Sequence, residues 1–161
     1  MSFKSEELLN YADNQWNLLV ANGLSEQDTY IDAAKKAIES YAKSIVKSNT
    51  ELIFALDSDS RVVLATSDFK LGIEEKSALF TSQKGGSSGW QSMTINQKRS
   101  VGYGFNFEPF GWYILVTEDE EAFYKESRDI LERTAIVLGV TILISIFLLI
   151  FFSGFLTRPM T

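Results

Sequence analysis

Four groups of residues in this chain have types and spacings suited to chemistry. The first is Glu118-Asp119-Glu120-Glu121, four carboxylates in a row. Paired acids in a cleft are the raw material of general acid–base catalysis. The second is Lys84-Gly85-Gly86-Ser87-Ser88-Gly89, glycine-rich as a phosphate cradle is. The third is Trp90, Met93, Tyr103, Phe105 and Tyr113, on β-prone runs, with the hydroxyl of Thr66 at a strand end. Aromatic walls with a few polar groups are the ordinary makeup of a small-molecule pocket. The fourth is Arg99, whose guanidinium can grip a carboxylate through two parallel hydrogen bonds. The aromatic residues also have a plainer reading as core, and Arg99 as a solvated hairpin charge.

Two of the four weaken at once. Acidic residues at a helix start are favoured by the backbone dipole, which needs no catalysis to explain it. The glycine run lacks the Gly-Lys-Ser/Thr ending of a phosphate loop and precedes no helical pattern. The sequence has no cysteine and no histidine. That removes a disulfide framework, a Cys/His zinc site and any Ser-His or Cys-His nucleophile pair. No enzyme activity and no cofactor are expected. With a net charge of −6 the chain offers no basic face to nucleic acid.

The elements that must hold these residues are legible from period. Residues 4–22 carry Leu8, Leu9, Ala12, Trp16, Leu19 and Val20 at helical spacing, and Gly23 suits the left-handed position beyond the helix end. Ser25 with Asp28 three residues on reads as the cap of a second helix, whose stripe is Ile31, Ala34, Ile38, Tyr41, Ala42 and Ile45. The period then changes to two. Residues 51–57 and 61–66 read as a hairpin about Ser58-Asp59-Ser60, and residues 73–80 as a short helix. Strands follow at 90–95, 98–107 and 111–117. In the middle one Val101, Tyr103, Phe105 and Phe107 share a face, and Gly102, Gly104 and Asn106 share the other. Glycine inside a strand marks close approach by a neighbour. The last strand is bulky on both faces, so both faces of this antiparallel sheet are covered: by the long helices on one side and by the 67–89 segment on the other.

Hydropathy is sharply asymmetric. Residues 135–156 contain no charged side chain. At about 1.5 Å per residue they span about 33 Å, close to the hydrocarbon thickness of a bilayer. Of 161 residues, the rest suffice for one globular domain. A helical pattern enters the span without proline, through Ala122, Phe123, Ile130 and Leu131.

Particular stretches carry a family likeness. Residues 52–67 read as an apolar strand, Asp57, a turn, and a strand ending Ala65-Thr66-Ser67. Pro109-Phe110-Gly111-Trp112 precedes the last strand, and Glu118 to Phe123 lead out of it. Arg158-Pro159 follows the span. Over residues 27–161 the chain resembles the extracellular single Cache sensor domain, a PAS-like fold of bacterial and archaeal receptors, followed by the start of a HAMP linker. Ser60 departs from the glycine common at that turn.

The resemblance implies an α+β fold: a PAS-like five-stranded antiparallel sheet with long N-terminal helices, followed by one transmembrane helix. It implies a sensor domain at 1–118, divided into helices (1–49) and sheet with pocket (50–118). A juxtamembrane helix (119–134), the membrane helix (135–156) and the linker start (157–161) follow. The function implied is ligand sensing outside the membrane and signalling inward to an output module beyond this sequence: a histidine kinase, a chemotaxis signalling coil or a nucleotide cyclase. The ligand would be a small molecule such as an organic acid, held between the sheet and the 67–89 segment. Trp90, Met93, Tyr103, Phe105 and Tyr113 would form the walls, with Thr66 at the rim and Arg99 as the cation. The expectation is a homodimer of a longer receptor with a second membrane helix upstream, paired through the membrane helices and through the first helix, where Trp16 and Leu9 either meet a partner or pack on the sheet. The rival expectation is a tail-anchored scaffold or interaction protein with a cytosolic domain.

Overall fold

The structure, a computed structural model, describes residues 1–85 and 88–156; the side chains of residues 80, 82–84, 126–127 and 154–156 are outside that description. The expected HAMP start at 157–161 also lies outside the described residues, as do Gly86 and Ser87 of the glycine run. Among the described residues the order is α1 (Ser2–Ala21), α2 (Asp28–Ile45), β1 (Glu51–Leu56), β2 (Val62–Ala65), α3 (Ile73–Lys84), β3 (Gly89–Ile95), β4 (Lys98–Phe107), β5 (Trp112–Asp119) and α4 (Glu120–Leu156), with a short 3-10 turn, Glu108–Phe110, before β5. The chain divides into two units, Met1–Ala122 and Phe123–Thr161.

In the first unit the strands lie in the order β2-β1-β5-β4-β3, every neighbouring pair antiparallel. The first and last strands therefore sit side by side at the centre, which is why both are apolar along their length. The turns match their residues. Gly23 (φ 68°) ends α1 and Gly111 (φ 63°) opens β5, both left-handed. Asn96 and Gln97 both have positive φ, the mark of a two-residue hairpin that follows the twist of its strands. Ser60, at φ 60°, takes the left-handed position without being glycine. Asp57 holds that turn: one carboxylate oxygen accepts the N–H groups of Asp59 and Arg61, each at 2.9 Å.

The cap of α2 differs from expectation. The helix starts at Asp28 with Gln27 as its N-cap, and Ser25 makes no side-chain cap. The residues after α1 have other work: Leu24 N–H closes back on Leu19 O at 2.8 Å, and Gln27 N–H on Leu24 O at 3.1 Å. That turn occupies the length which the capping box would need.

Two apolar layers flank the sheet. Leu8, Ala12, Ile38, Ala42 and Ile45 from α1 and α2 pack with Ile53, Ala55, Phe105, Phe107, Trp112, Ile114 and Val116. Leu52, Phe54, Leu56, Met93, Ile95, Tyr113 and Leu115 face the other way, beneath Leu79 of α3 and beside Phe69 and Leu71. Trp16 and Leu9 pack on the helix-side layer, Trp16 edge-on to Phe110 with ring centroids 5.8 Å apart. The small residues Ala12, Ala34 and Ala42 let the two helices lie close to each other and to the sheet.

In the second unit, α4 continues as one helix to Leu156. Its apolar side chains from Ile136 to Phe152 are exposed. A soluble core helix of this composition would be buried; this one is not, among the described residues.

Acid should loosen the first unit. Burial alone would raise the Glu51 carboxyl. Hydrogen bonds from the Lys4 ammonium and the Lys47 N–H, with the Lys4 charge, outweigh it and hold the group below its ordinary value of 4.5. The Asp57 carboxyl is held below its ordinary 3.8, first by the Arg61 N–H and then by that of Asp59. A carboxyl depressed in the folded state stabilises fully above its unfolded value and stops doing so as pH falls through its folded value. The melting temperature should thus be flat above about pH 5 and fall steadily toward pH 3, with Glu51→Gln removing the upper part of the fall. A melting temperature constant from pH 7 to 3 would contradict this account.

Candidate ligand-binding site

Strand parity decides which side chains can share a site. In β4 the odd residues face α1 and α2, and the even residues Ser100, Gly102, Gly104 and Asn106 face α3. In β5 the opposite holds: Tyr113, Leu115 and Thr117 face α3. Register then places Gly104 opposite Leu115 and Gly102 opposite Thr117.

The glycines of β4 are where a side chain crosses the strand. A Cβ at Gly104 would lie 2.7 Å from the Tyr113 Cζ, and one at Gly102 2.6 Å from the Thr117 Cγ2 and 3.0 Å from the Val116 carbonyl oxygen. The Tyr113 ring therefore lies flat across β4. Its hydroxyl accepts a hydrogen bond from the Gln91 amide on β3. Burial pushes the Tyr113 phenol above its ordinary value, and the Gln91 amide opposes that. Tyr113 packs in one buried layer with Met93, Phe54 and Leu79 of α3, and the Tyr113 hydroxyl and the Gln91 amide are the polar pair at its edge on β3. Phe69 adds its ring to Phe54, with centroids 4.6 Å apart.

The segment before α3 is tied to the β3–β4 turn. Lys70 N–H bonds to Asn96 Oδ1 at 2.8 Å, Asn96 N–H returns to Lys70 O at 3.1 Å, and Leu71 bridges to Ile95. At the start of α3, Ile73 is 86% exposed.

The seven residues expected to bind ligand are not brought together. Met93 and Tyr113 face the α3 side. Tyr103 and Phe105 belong to the layer beneath α1 and α2. Trp90 stands opposite Tyr103 and edge-on to it at 5.9 Å. These three correct the expectation that all the walls point at the 67–89 segment; alternation along β4 turns Tyr103 and Phe105 away from it, and alternation along β3 does the same for Trp90. Thr66 Oγ1 accepts the Ile53 N–H at 3.0 Å and so extends the hairpin ladder. Arg99 is 73% exposed and pairs with Glu120, Nε to Oε2 3.0 Å, an ion pair that contributes little in water. Gln91 was missed, and so were Gly102 and Gly104 as members of the site. The signal was present, since the face bearing the glycines of a strand is the face that something else crosses.

The acidic run has structural partners. Asp119 Oδ1 accepts the Glu121 N–H at 3.0 Å, capping α4. Glu120 and Glu121 lie in that helix's first turn, where the dipole favours them. Among the described residues no group of three or more Cys, His, Asp or Glu side chains is placed to hold a metal ion.

The sequence matches no protein-family model and no curated protein. Several solved structures are similar in fold, among them these two. One is a periplasmic sensor domain of a chemotaxis protein, 11% identical, with TM-score 0.57, covering 71% of this chain and 89% of that one. The other is a Cache chemosensory domain whose structure describes carboxylic acid recognition, 15% identical, with TM-score 0.51, covering 74% of this chain and 95% of that one. The fold is that of a Cache sensor domain. That fold accounts for the central pairing of β1 with β5.

Proposed function

We propose that this chain is the ligand-sensing region of a transmembrane receptor. Residues 1–118 stand outside the cytoplasmic membrane, 119–134 join them to the bilayer and 135–156 cross it. The single observation that supports this best is the pairing of a Cache fold with an uncharged, wholly exposed helical stretch after its last strand. A tail-anchored scaffold would need neither a covered sheet face nor a polar pair at its edge, and is not favoured.

The ligand is a small carboxylic acid. It lies between the sheet and α3 against Met93, Phe54 and Leu79, and its carboxyl group bonds to Tyr113 Oη and the Gln91 amide. This reading keeps Tyr113 and Met93 of the seven expected residues, adds Gln91, and gives Arg99 no part. Binding favours one of two arrangements of β5 and the helix after it, by no more than the ligand's difference in affinity for the two. The shift passes along α4 to an output module inside the cell, within a homodimer.

The test is calorimetry on the full chain in lipid nanodiscs, with acetate, propionate, pyruvate and L-lactate as probes. At least one should bind saturably. Tyr113→Phe should weaken it about tenfold, the expectation for a lost hydrogen bond to a charged group. Arg99→Ala should change it less than twofold. No saturable binding by any of the four would remove the reading, and so would loss in Arg99→Ala with retention in Tyr113→Phe.

A further inference from the structure

A second cleft, of about 280 Å³, opens at the end of the same sheet face, where β1 begins and β5 ends. Its lining includes Glu51, Lys98, Ser100, Thr117 and Asp119 from the strands, together with Asn96. Its chemistry is unlike that of the apolar site beneath Leu79. Lys98 Nζ and Asp119 Oδ2 are 3.6 Å apart there, longer than a direct charge-assisted hydrogen bond, while the other carboxylate residue of the lining, Glu51, is paired with Lys4. Lys98 is 75% exposed and free to swing, whereas Asp119 is 16% exposed and fixed by its cap on α4.

Ser100 is the decisive residue. It is 6% exposed, and its side chain lines the cleft. Its hydroxyl has no protein partner among the described residues. Buried polar groups in folded proteins are satisfied with few exceptions, so the partner is supplied by whatever fills the cleft. Thr117 Oγ1, 1% exposed, donates to Leu52 O at 2.9 Å and keeps its lone pairs for an incoming donor. Ser100 and Asp119 stand directly opposite in register. Side chains so placed are about 5 Å apart at Cβ, a gap that one ammonium group can bridge.

We propose that this cleft is a second binding site, for a small zwitterion carrying an amine and a carboxylate on one short carbon skeleton. The ammonium group takes Asp119 Oδ2, Ser100 Oγ and Thr117 Oγ1. The carboxylate takes Lys98 Nζ, drawn out of its loose pair, and the Asn96 side-chain amide. A ligand neutral overall replaces one ion pair with two and leaves no buried charge unmatched. The volume is roughly nine times a water's share of the liquid, which suits a molecule the size of a small amino acid. Asp119 is also the residue at which β5 gives way to α4, so occupancy acts on the first turn of that helix through its cap.

The test uses the full chain in nanodiscs, with glycine, L-alanine, L-serine and β-alanine as probes and methylammonium and ethanolamine, which carry the amine without a carboxylate, as one-ended controls. At least one zwitterion should bind saturably and raise the melting temperature. Lys98→Ala and Asp119→Asn should each weaken it at least tenfold, and Ser100→Ala about threefold. Tyr113→Phe, which strikes the carboxylic acid site, should leave it unchanged. Lys98 is exposed, so its variant keeps the idea testable even if Asp119→Asn frays the helix start. Failure of all four zwitterions to saturate would overturn the proposal. Equal binding of either control would do the same, as would loss in Tyr113→Phe with retention in Lys98→Ala. None of these outcomes bears on carboxylic acid binding beneath Leu79.

Discussion

Tyr113→Ala should lower the unfolding free energy of the first unit by about 3–5 kcal/mol, the cost of deleting a fully buried aromatic ring. Tyr113 is wholly buried, and its ring fills the space that Gly104 leaves over β4. The three tryptophans, Trp16, Trp90 and Trp112, all lie in that unit, so urea unfolding followed by their fluorescence reads it directly. A second substitution makes the test specific. Gly104→Ala alone puts a methyl group into the Tyr113 ring and should cost about 1–3 kcal/mol through overpacking. In the Tyr113→Ala background the obstructing ring is gone, and the same change should cost close to nothing. The cycle therefore predicts a coupling of about 1–3 kcal/mol between two residues in contact. Additive effects would mean that the ring does not lie across the glycine.

Ile146→Arg, in the middle of residues 135–156, should disfavour membrane insertion of α4 by about 2.5–3.5 kcal/mol, or roughly a hundredfold in the ratio of inserted to uninserted chains. A glycosylation-site reporter placed after the span measures that ratio. The control is Ile73→Arg, at a side chain 86% exposed on α3, where a surface change should stay within about 0.5 kcal/mol. The fluorescence melt of the first unit should be the same in the parent and in Ile146→Arg. Unchanged insertion of Ile146→Arg would mean that the segment does not cross a bilayer.

Much of the architecture was legible before any coordinates. The helical stripes of α1 and α2, the β1–β2 hairpin about Ser58-Asp59-Ser60 and the Asn96-Gln97 turn all appear where period and turn chemistry put them. Coverage of the sheet on both faces followed from a β5 that is bulky at every position, and two apolar layers are present. The start of α2 was misplaced, because Ser25 and Asp28 have capping spacing but the turn beyond Gly23 uses up residues 24–27. The site was only partly legible. Tyr113 and Met93 face α3, whereas Tyr103 and Phe105 belong to the opposite layer and Trp90 stands exposed beside Tyr103. Aromatic character marks a wall but not which side of the sheet the wall is on. Arg99 looked like a ligand cation because its chemistry allows it; its position at the hairpin end leaves it in solvent beside Glu120.

What the amino-acid order determined alone is whatever depends on neighbours along the chain: the periods of helices and strands, the turns, and an uncharged stretch long enough to cross a membrane. These are one-dimensional properties, set within a few residues. The tertiary structure alone decided which side chains meet. Shifting a strand by one residue sends each of its side chains to the other face, and that shift is fixed by pairing between segments far apart in sequence. Gln91 reaches Tyr113 across Gly104, and Ser100 stands opposite Asp119, because β3, β4 and β5 pair in one particular alignment. Both proposed binding sites rest on that alignment.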